Sequence, residues 1–278
     1  MLDAYKELTP VIYGENAIRH LIGDKRENGM CFHTHWHDRI ELLRVVKGEL
    51  RLHFGDEQYL VHPGEVVVIS PRTIHGGFTG DSGVLYHTIM FDVEKFCNTT
   101  IASDKYLQPI CSSEIRFQPV TSSPEVLSAV DRLLGLILSG EESNPLFAVG
   151  AVYEILGALH QHCVRDEKQE HKADERFREI LEYIGRHYTQ PISTRDISRK
   201  FGYSEAYFCR RFKAITGLNV MKYIQILRLE LSQKMLQKTR EEIGTIALKC
   251  GFSDISFFSN CFKKQFGVSP TAFRDMEP

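Results

Sequence analysis

The stretch GFSDISFFSNCFKKQFGVSP, residues 251–270, decides the fold of the C-terminal part of the chain. It is rich in phenylalanine but holds only three charged side chains at neutral pH. Phe258 and Phe262 are four residues apart, so on a helix they lie on the same face. Asp254 stands where the N-cap of such a helix is expected, and Gly267 stands where the helix would end. The pattern therefore predicts an amphipathic helix between Asp254 and Gly267.

A second stretch, GYSEAYFCRRFKAITG at 202–217, repeats this pattern, and the later copy has one extra residue in its turn. The matched pairs are Ser204 with Asp254, Phe208 with Phe258, Phe212 with Phe262, Lys213 with Lys263 and Gly217 with Gly267. The segments upstream, ISTRDISRKFGYS and TREEIGTIALKCGFSD, also match. Each copy predicts a short helix, a glycine turn and a capped second helix, which is typical of a helix-turn-helix module. We place the two modules at about 193–216 and 242–266.

The face opposite the phenylalanines is the candidate contact surface of each second helix. Arginine pairs well with guanine, asparagine pairs with adenine, and small apolar groups suit the thymine methyl. The candidate DNA contacts are Glu205, Ala206, Cys209, Arg210 and Lys213 in the first copy, and Ile255, Ser256, Ser259, Asn260 and Lys263 in the second. The alternative is a helical repeat whose outer faces are only solvated. Two copies in a basic segment favour DNA binding.

Charge is divided unevenly along the chain, although its net value is only −2. From His171 onward there are 19 lysines and arginines against 12 aspartates and glutamates, a net of +7, and the preceding part carries −9. A basic C-terminal part suggests contact with a polyanion. Local fluctuation in composition is the alternative.

One long amphipathic helix is predicted between the modules, at 220–237. Apolar residues at helical spacing along it are Met221, Ile224, Leu227, Leu231 and Met235. A helix of this length can hold the two recognition helices at a fixed separation. They would enter successive major grooves, roughly 34 Å apart, or bend the DNA if they are held closer.

The last hundred residues, about 176–275, resemble the AraC/XylS family of bacterial transcription regulators. The elements that carry the resemblance are FGYSEAYFCRRFKAITG, YIQILRLELSQKML, IALKCGFSDISFFSNCFKKQFGVSP and the final AFR. The resemblance implies base contacts by Ala206, Cys209 and Arg210 in the first module, and by Ile255, Ser256, Ser259 and Asn260 in the second. The family usually has arginine where Asn260 stands, so the site preference of the second module is expected to differ.

Residues 30–95 predict short antiparallel strands. ELRLHF at 49–54 alternates apolar and polar residues, GD at 55–56 is a turn signal, and GEVVVISP at 64–71 is a β-branched run closed by proline. Within this region, GMCFHTHWHDRIELLRVVKG at 29–48 resembles the first motif of the cupins. That resemblance implies a small jelly-roll barrel.

A histidine and glutamate cluster is expected inside this barrel. His35 and His37 point to the same side of a strand. The second cupin motif is matched only in part, because Thr73 replaces the usual glycine, the spacing is short by one, and Pro71 and His75 remain. Together, His35, His37, Glu41 and His75 would form a three-nitrogen, one-oxygen site. The four residues are interpreted as an effector pocket, with a divalent metal site or purely structural hydrogen bonds as the alternatives.

Two helices are predicted at 123–139 and 145–163, followed by a charged linker at 164–175. Both helices have apolar stripes with no other partner assigned by the sequence. The resemblance to the family implies that such helices pack against the barrel and pair two subunits. The alternative is that both stripes are buried within one chain.

The remaining features agree with a two-domain globular protein in the cytoplasm. The chain has 278 residues and is 42% hydrophobic and 25% charged. We find no signal-peptide pattern at the start and no apolar run near the roughly 18 residues of a membrane span. Seven cysteines, with no CxxC spacing, predict buried free thiols rather than a disulfide framework.

The sequence thus predicts an α+β multidomain protein. A cupin-like effector-sensing barrel at 1–118 precedes a helical dimerisation segment at 119–163, a linker at 164–175, and an all-α double helix-turn-helix domain at 176–278. The predicted function is an effector-controlled transcription regulator, homodimeric on promoter DNA, with an effector such as a sugar and no required cofactor. RNA polymerase is a further partner if the output is activation. The alternative is a metal-dependent cupin enzyme or metal sensor with an attached DNA-binding module.

Overall fold

The structure, a computed structural model, describes residues 18–26, 28–55, 57–97, 103–139, 145–165 and 171–275. These residues form two compact units, the first ending at Glu175 and the second beginning at Arg176. The start of the chain, where no signal peptide was predicted, lies outside the described residues. Among the residues described, no helix combines the length and apolarity needed to cross a membrane.

The first unit is built on an antiparallel sheet of seven strands. The strands of the first unit are β1 (Ile18–Lys25), β2 (Gly29–His35), β3 (Ile40–Phe54), β4 (Glu57–Val61), β5 (Val66–Ile69), β6 (His75–Phe91), β7 (Arg116–Phe117), β8 (Val120–Thr121) and β9 (Val164–Arg165). Strands β7 and β9 pair with each other in a separate two-stranded ribbon. Strand β1 precedes the region where the sequence predicted strands.

The two longest strands, β3 and β6, pair with each other but have different outer neighbours at their two ends. The first part of β3 pairs with β5 and its last part with β4, while β6 pairs with β2 early and with β1 late. Register shifts interrupt the β3–β6 ladder between Val45 and Lys47 and between Gly48 and Leu50. Side chains from both halves of β3 then enter one apolar cluster. Both halves of β3 therefore border one buried interior, and the predicted antiparallel domain is confirmed, with its described strands in an open order from β1 to β8.

Alternation along β3 gives the strand two buried faces. Leu43 and Val45 belong to the interior cluster, whereas Ile40 and Leu42 belong to a second cluster on the opposite face. That second cluster is completed by α2 (Pro124–Leu138) and α3 (Pro145–His162), which follow the short helix α1 (Gln108–Cys111). Both helices therefore cover the outer face of the sheet.

The apolar stripes of α2 and α3, to which the sequence alone assigned no partner, are buried against the sheet. The buried residues of these helices are Val126, Ala129, Val130, Leu133, Leu134, Ala148, Ala151, Val152, Ile155, Leu156 and Leu159. All of them lie in the cluster shared with the sheet. The alternative, burial within one chain, is the one observed, so these stripes are not available to pair two subunits.

The predicted linker at 164–175 is structured at both ends. Val164 and Arg165 form β9, and residues 166–170 lie outside the described residues. Arg165 also donates two hydrogen bonds, of 2.8 and 3.2 Å, to the carboxylate of Glu57 on β4. From His171 the chain is helical again. The last residues of the predicted linker therefore belong to the start of a helix.

The described elements of the second unit are all helices, and the first of them begins shortly before the boundary at Arg176. Its helices are α4 (His171–His187), α5 (Thr194–Lys200), α6 (Glu205–Thr216), α7 (Val220–Lys238), α8 (Ile243–Lys249), α9 (Ile255–Phe266) and α10 (Pro270–Asp275). Helices α5 and α8 have seven residues each, and α6 and α9 have twelve each. The repeat predicted from the sequence is confirmed at this level, as is the long helix between the two copies.

The turns of the two copies are equivalent. In the first, the backbone N–H of Tyr203 donates to the Ser198 carbonyl at 2.8 Å; in the second, Phe252 donates to Ala247 at 3.0 Å. The glycine before each of these donors has a positive φ, +73° and +89°. Ser253 is the extra residue that the sequence alignment placed in the second turn. The insertion is absorbed after the shared hydrogen bond, so α9, like α6, begins after an extended N-cap residue whose side chain accepts a hydrogen bond from the backbone three residues later.

Candidate functional site

Four titratable side chains meet inside the folded sheet of the first unit. His35 is the last residue of β2, His75 the first of β6, and the β2–β6 ladder sets them opposite each other. Glu41 shares the inner face of β3 with Leu43 because the two are separated by one residue. His37 comes from the connection between β2 and β3. The residues predicted for the site from sequence are therefore brought together by three strands and one loop.

The four residues are close enough to share one ligand. Each offers one nitrogen or oxygen atom, and these atoms all lie within 4.8 Å of one another. Glu41 Oε2 is 2.8 Å from His37 Nε2 and 3.2 Å from His75 Nε2. All four side chains are buried, and His75 has no exposed surface. The cluster can hold a small ligand or a cation from several directions.

Backbone carbonyl groups orient each of the three imidazole rings. The Nδ1 atoms of His35, His37 and His75 lie 2.9, 3.1 and 2.8 Å from the carbonyl oxygens of His33, Arg39 and Thr73, respectively. A carbonyl oxygen only accepts hydrogen bonds, so each Nδ1 is the donor. Each ring is thus fixed by a carbonyl two residues away in the chain. The sequence spacing alone gave no sign of this arrangement.

The loop before β6 is held against the same site. The backbone N–H of Arg72 donates to the carbonyl oxygen of His37 at 2.6 Å. Arg72 has a φ of 61°, a left-handed conformation that is uncommon outside glycine. Backbone strain of this kind persists where surrounding structure imposes it, and it concentrates at functional sites. The loop leads directly into His75 and supplies the carbonyl of Thr73 that orients its ring.

Aromatic rings line the space around the cluster. Phe32 meets the rings of His35 and His75 edge-on, each at a centroid distance of 6.0 Å. Tyr86 lies 6.4 Å from Phe32. Burial, with smaller contributions from Cys31 and Glu41, raises the pKa of the Tyr86 hydroxyl above its usual range. The sequence did not predict this aromatic lining, because strand pairing rather than sequence spacing brings these rings to the cluster.

Electrostatics favour the ionised form of Glu41. Burial by itself would raise the pKa of this carboxyl, but the contacts with His37 and His75 outweigh burial and lower it below its usual range. His53, which the sequence left as a surface or hydrogen-bonded histidine, lies outside the cluster against Phe78. Burial lowers the pKa of His53.

The second candidate site is the exposed surface of α6 and α9. Phe208 and Phe212 anchor α6, and Phe258 and Phe262 anchor α9; all four rings are buried. The side chain of Ser204 accepts a hydrogen bond from the backbone of Tyr207 at 3.4 Å, and Asp254 accepts one from Phe257 at 2.8 Å. Both helices end at a glycine in the left-handed conformation. The caps and anchors predicted from sequence are confirmed.

The side chains predicted to contact DNA lie on the opposite face. Nine of the ten are exposed and Ser259 is half-buried; the exposed residues are Glu205, Ala206, Cys209, Arg210, Lys213, Ile255, Ser256, Asn260 and Lys263. Ser259 Oγ donates to the carbonyl of Ile255 at 2.9 Å. Two aromatic residues that the repeat pairs with each other, Tyr207 and Phe257, are also exposed beside them. From this pairing, the sequence predicted that Phe257 lies at the edge of the packed face or against the DNA backbone.

A short segment between α4 and α5 joins the two modules. Arg228, from the middle of α7, donates to the carbonyl oxygens of Tyr188 and Gln190 at 2.6 and 3.0 Å. Between them, the backbone of Thr189 packs against Gly251 in the turn of the second module. Helix α7 and the second turn are therefore fixed to the same three residues, which sets the placement of α9 relative to α7.

Two family models match the chain, one on each unit. An AraC-like ligand binding domain matches residues 22–156, and a helix-turn-helix domain matches residues 197–276. The transcriptional activator RhaS of Mannheimia succiniciproducens is 25% identical over 93% of this chain and 95% of its own. The Msm operon regulatory protein of Streptococcus mutans is 23% identical over 93% and 92%, respectively. The solved structure of ToxT from Vibrio cholerae O395 has 12% identity, covers 94% of this chain and 98% of its own, and gives a TM-score of 0.46.

These matches decide between the functions that the sequence left open. Both family models and the named relatives are those of transcription regulators, so the protein is not an enzyme. The matched domains coincide with the folded sheet and with the paired helix-turn-helix modules described above. The chain therefore belongs to the AraC/XylS family and is a DNA-binding transcription regulator with an N-terminal ligand-binding domain.

Proposed function

We propose that this regulator binds promoter DNA in the cytoplasm through the exposed faces of α6 and α9, and that a small-molecule effector bound inside the folded sheet controls it. The DNA-binding part of this proposal rests on the similarity of α6 and α9. Each has twelve residues, an N-terminal cap, two buried phenylalanines and an exposed opposite face. Two equivalent helices presented in this way suit two stretches of major groove.

Arg210 is the residue with the largest expected contribution to specificity. Its side chain is exposed on α6 and can pair with the O6 and N7 atoms of guanine. Arg210→Ala is expected to weaken binding to DNA from upstream of the protein's own gene by about 1–3 kcal/mol. Fluorescence anisotropy of the full-length chain at several salt concentrations measures the loss. Wild-type affinity should fall steeply as salt rises, because bound phosphates release counterions.

Arg186→Ala is the matched control, since it removes the same charge from α4. Arg186 pairs with Glu182 at 3.2 Å and lies on neither of the two matched helices. We expect this variant to bind with nearly wild-type affinity. Equal losses of DNA affinity in Arg186→Ala and Arg210→Ala would point to a general charge effect. If the wild type binds no upstream fragment even at low salt, the proposal is wrong.

We propose that the effector pocket lies at the cluster of His35, His37, Glu41 and His75. The carboxylate and imidazoles can hydrogen-bond to hydroxyl groups, and the rings of Phe32 and Tyr86 offer apolar faces beside them. A polyhydroxylated ligand such as a sugar suits this combination. A ligand that binds the folded state raises the melting temperature.

Thermal unfolding of the full-length protein against sugars and small carboxylic acids tests this assignment. We expect one compound to raise the melting temperature in the wild type, and Tyr86→Phe or Phe32→Leu to reduce the shift. A shift that persists unchanged in both variants would move the effector away from the cluster.

Control by the effector requires a differential affinity for two arrangements of the protein. We propose that a homodimer presents four helix-turn-helix modules to two half-sites, and that the effector changes which half-sites the dimer can span. Since the stripes of α2 and α3 are buried, the dimer contact would use the exposed large apolar side chains of these two helices, Leu138, Leu146 and Phe147. RNA polymerase is the further partner if the output is activation.

A further inference from the structure

We propose that Cys97 and Cys111 are a redox-sensitive pair, which forms a reversible disulfide bond under oxidising conditions and thereby stabilises the first unit. This modification site is separate from the effector cluster and from the DNA-contacting helices, so it does not depend on the function proposed above. The spacing of the two cysteines, 14 residues apart, did not predict that they meet.

The two thiols lie in contact and within reach of small solutes. All seven cysteines of the chain are free. Cys163 and Cys250 are buried, as the sequence predicted, whereas Cys97 and Cys111 are only partly buried. The Sγ atoms of Cys97 and Cys111 are 3.9 Å apart, so either thiol can donate a weak hydrogen bond to the other. A small oxidant can therefore meet two adjacent sulfur atoms at this point of the surface.

The segment that carries Cys97 is anchored to the layer of helices over the sheet. Cys97 follows a short 3₁₀ helix, Val93–Phe96. The ring of Phe96 packs against those of Phe91 and Tyr153, at centroid distances of 6.0 and 5.8 Å. The hydroxyl group of Tyr153, on α3, also donates to the carbonyl oxygen of Phe96 at 2.8 Å. The backbone next to Cys97 is therefore held by α3.

The segment that carries Cys111 is anchored to the same helix. Cys111 is the last residue of α1, and Ile110 before it is fully buried in the cluster shared with α2, α3 and the sheet. Shortly before α1, the carbonyl oxygen of Tyr106 accepts a hydrogen bond of 2.7 Å from Nε2 of His160 on α3. Tyr153 and His160 are seven residues apart, so they lie on one face of the helix. Helix α3 thus holds the two cysteine segments side by side.

A small movement is enough to join the two sulfur atoms. A disulfide bond is about 2.05 Å long, so the sulfur atoms must approach by about 1.9 Å. Each cysteine stands at the end of a short helix, where a side-chain rotation and a slight backbone adjustment disturb few neighbours. The one hydrogen bond given up is that from the thiol of Cys97 to the carbonyl oxygen of Val93, at 3.4 Å.

The oxidant we name is a low-molecular-weight disulfide. The thiolate of one cysteine attacks a sulfur atom of the small disulfide, forms a mixed disulfide and releases one small thiolate. The thiolate of the second cysteine then attacks the sulfur atom of the first, forms the internal bond and releases the other small thiolate. The protons of the two protein thiols end on the two released thiols. Two electrons therefore pass from the protein to the small disulfide.

The surroundings of the pair set how fast it responds. Burial, followed by the nearby carboxylates of Glu94 and Asp92, raises the pKa of the Cys97 thiol. Burial and the neighbouring Cys97 raise the pKa of the Cys111 thiol to about 12. Because the thiolate is the reactive form, both thiols react slowly at neutral pH and faster as pH rises. The pair therefore responds to sustained oxidation of a reducing cytoplasm, where disulfides are usually transient and sense redox state.

The expected effect of the bond is a gain in stability. It closes a loop of about 15 residues, which restricts the unfolded chain. We expect the oxidised protein to melt about 5–10 °C above the reduced protein. Fluorescence of Trp36, the only tryptophan of the chain, reports the melting of the first unit.

The test equilibrates the full-length protein at pH 8 in buffers with different ratios of glutathione disulfide to glutathione, and then blocks remaining thiols with N-ethylmaleimide. Trypsin cuts after Lys95, Lys105 and Arg116, so Cys97 and Cys111 fall in separate peptides, 96–105 and 106–116. Mass spectrometry is expected to find these two peptides joined in most chains at high glutathione disulfide. Dithiothreitol should separate them again.

Variants connect the bond with the change in melting temperature. Cys97→Ser and Cys111→Ser are each expected to abolish the rise on oxidation, because neither can form the bond. Cys261→Ser is the matched control, since it removes another partly buried thiol in the second unit and should keep the rise. Should either cluster variant fail to fold, peptide mapping of the wild type still decides whether the bond forms.

Three results would overturn the proposal. The first is the absence of the joined peptides from wild-type protein in the most oxidising buffer, and the second is a bond from Cys97 or Cys111 to some other cysteine. The third is a melting temperature that does not rise when the joined peptides form, or that rises equally in folded Cys97→Ser protein. DNA affinity plays no part in these outcomes, so they are independent of the proposed function.

Discussion

Replacing Phe262 with alanine is expected to lower the free energy of unfolding of the helical unit by about 3–5 kcal/mol. The ring of Phe262 has no exposed surface and meets those of Phe258, Phe266 and Phe273 at centroid distances of 5.7, 4.5 and 5.5 Å. Removing it leaves a cavity that these rings, two of them on α9 and one on α10, cannot fill without moving α9 or α10. Urea unfolding followed by far-ultraviolet circular dichroism measures the loss.

Phe257→Ala is the matched control on the same helix. The side chain of Phe257 is 55% exposed, so its removal should change the free energy of unfolding by only about 0.5 kcal/mol. Because Phe257 lies beside the predicted contact surface, its substitution tests DNA affinity separately from stability. If Phe262→Ala loses no more free energy of unfolding than Phe257→Ala does, the interior of the second module can repack around the missing ring.

The second unit was largely predictable because its signals are local in the chain. A capping side chain, two phenylalanines four residues apart and a terminal glycine are all contained in about fourteen residues, and each acts within one helix. The repeat doubled that information, since Ser204 and Asp254 cap equivalent helices. The anchoring of α7 by Arg228 was not predictable, because its acceptors are backbone carbonyls about forty residues away.

The first unit was less predictable because its contacts join distant segments. The spacing of His35, His37 and Glu41 indicated a cluster, but the orientation of each ring depends on carbonyl groups in turns whose geometry the sequence does not specify. The apolar stripes of α2 and α3 were assigned to a subunit contact for a related reason. A stripe shows that a face is buried, and only the sheet's second apolar face, formed partly by Leu42, shows what buries it.

Replacing Gly48 with alanine is expected to lower the free energy of unfolding of the first unit by about 2–5 kcal/mol. Gly48 has a φ of +78°, where a side chain costs about 1–2 kcal/mol. A Cβ atom would also overlap the carbonyl oxygen of Gly83 and lie 2.9 Å from its carbon, on the paired strand β6. Neither backbone can retreat easily, because this is where the β3–β6 ladder shifts register. Fluorescence of Trp36, the only tryptophan of the chain, follows unfolding of this unit.

Gly64→Ala separates the two causes of the expected loss. Gly64 also has a positive φ, +95°, but an added Cβ would meet nothing within 4 Å, so only the conformational cost of about 1–2 kcal/mol should appear. If both variants lose the same free energy of unfolding, the β3–β6 pairing can adjust at Gly48, and the close approach to Gly83 is not a constraint. If Gly48→Ala loses more free energy of unfolding than Gly64→Ala does, the register shift is what holds the two halves of β3 around one interior. Ligand binding should then also be weaker in Gly48→Ala. Glu41 lies before the register shift in β3, and Phe54, which faces His75, lies after it.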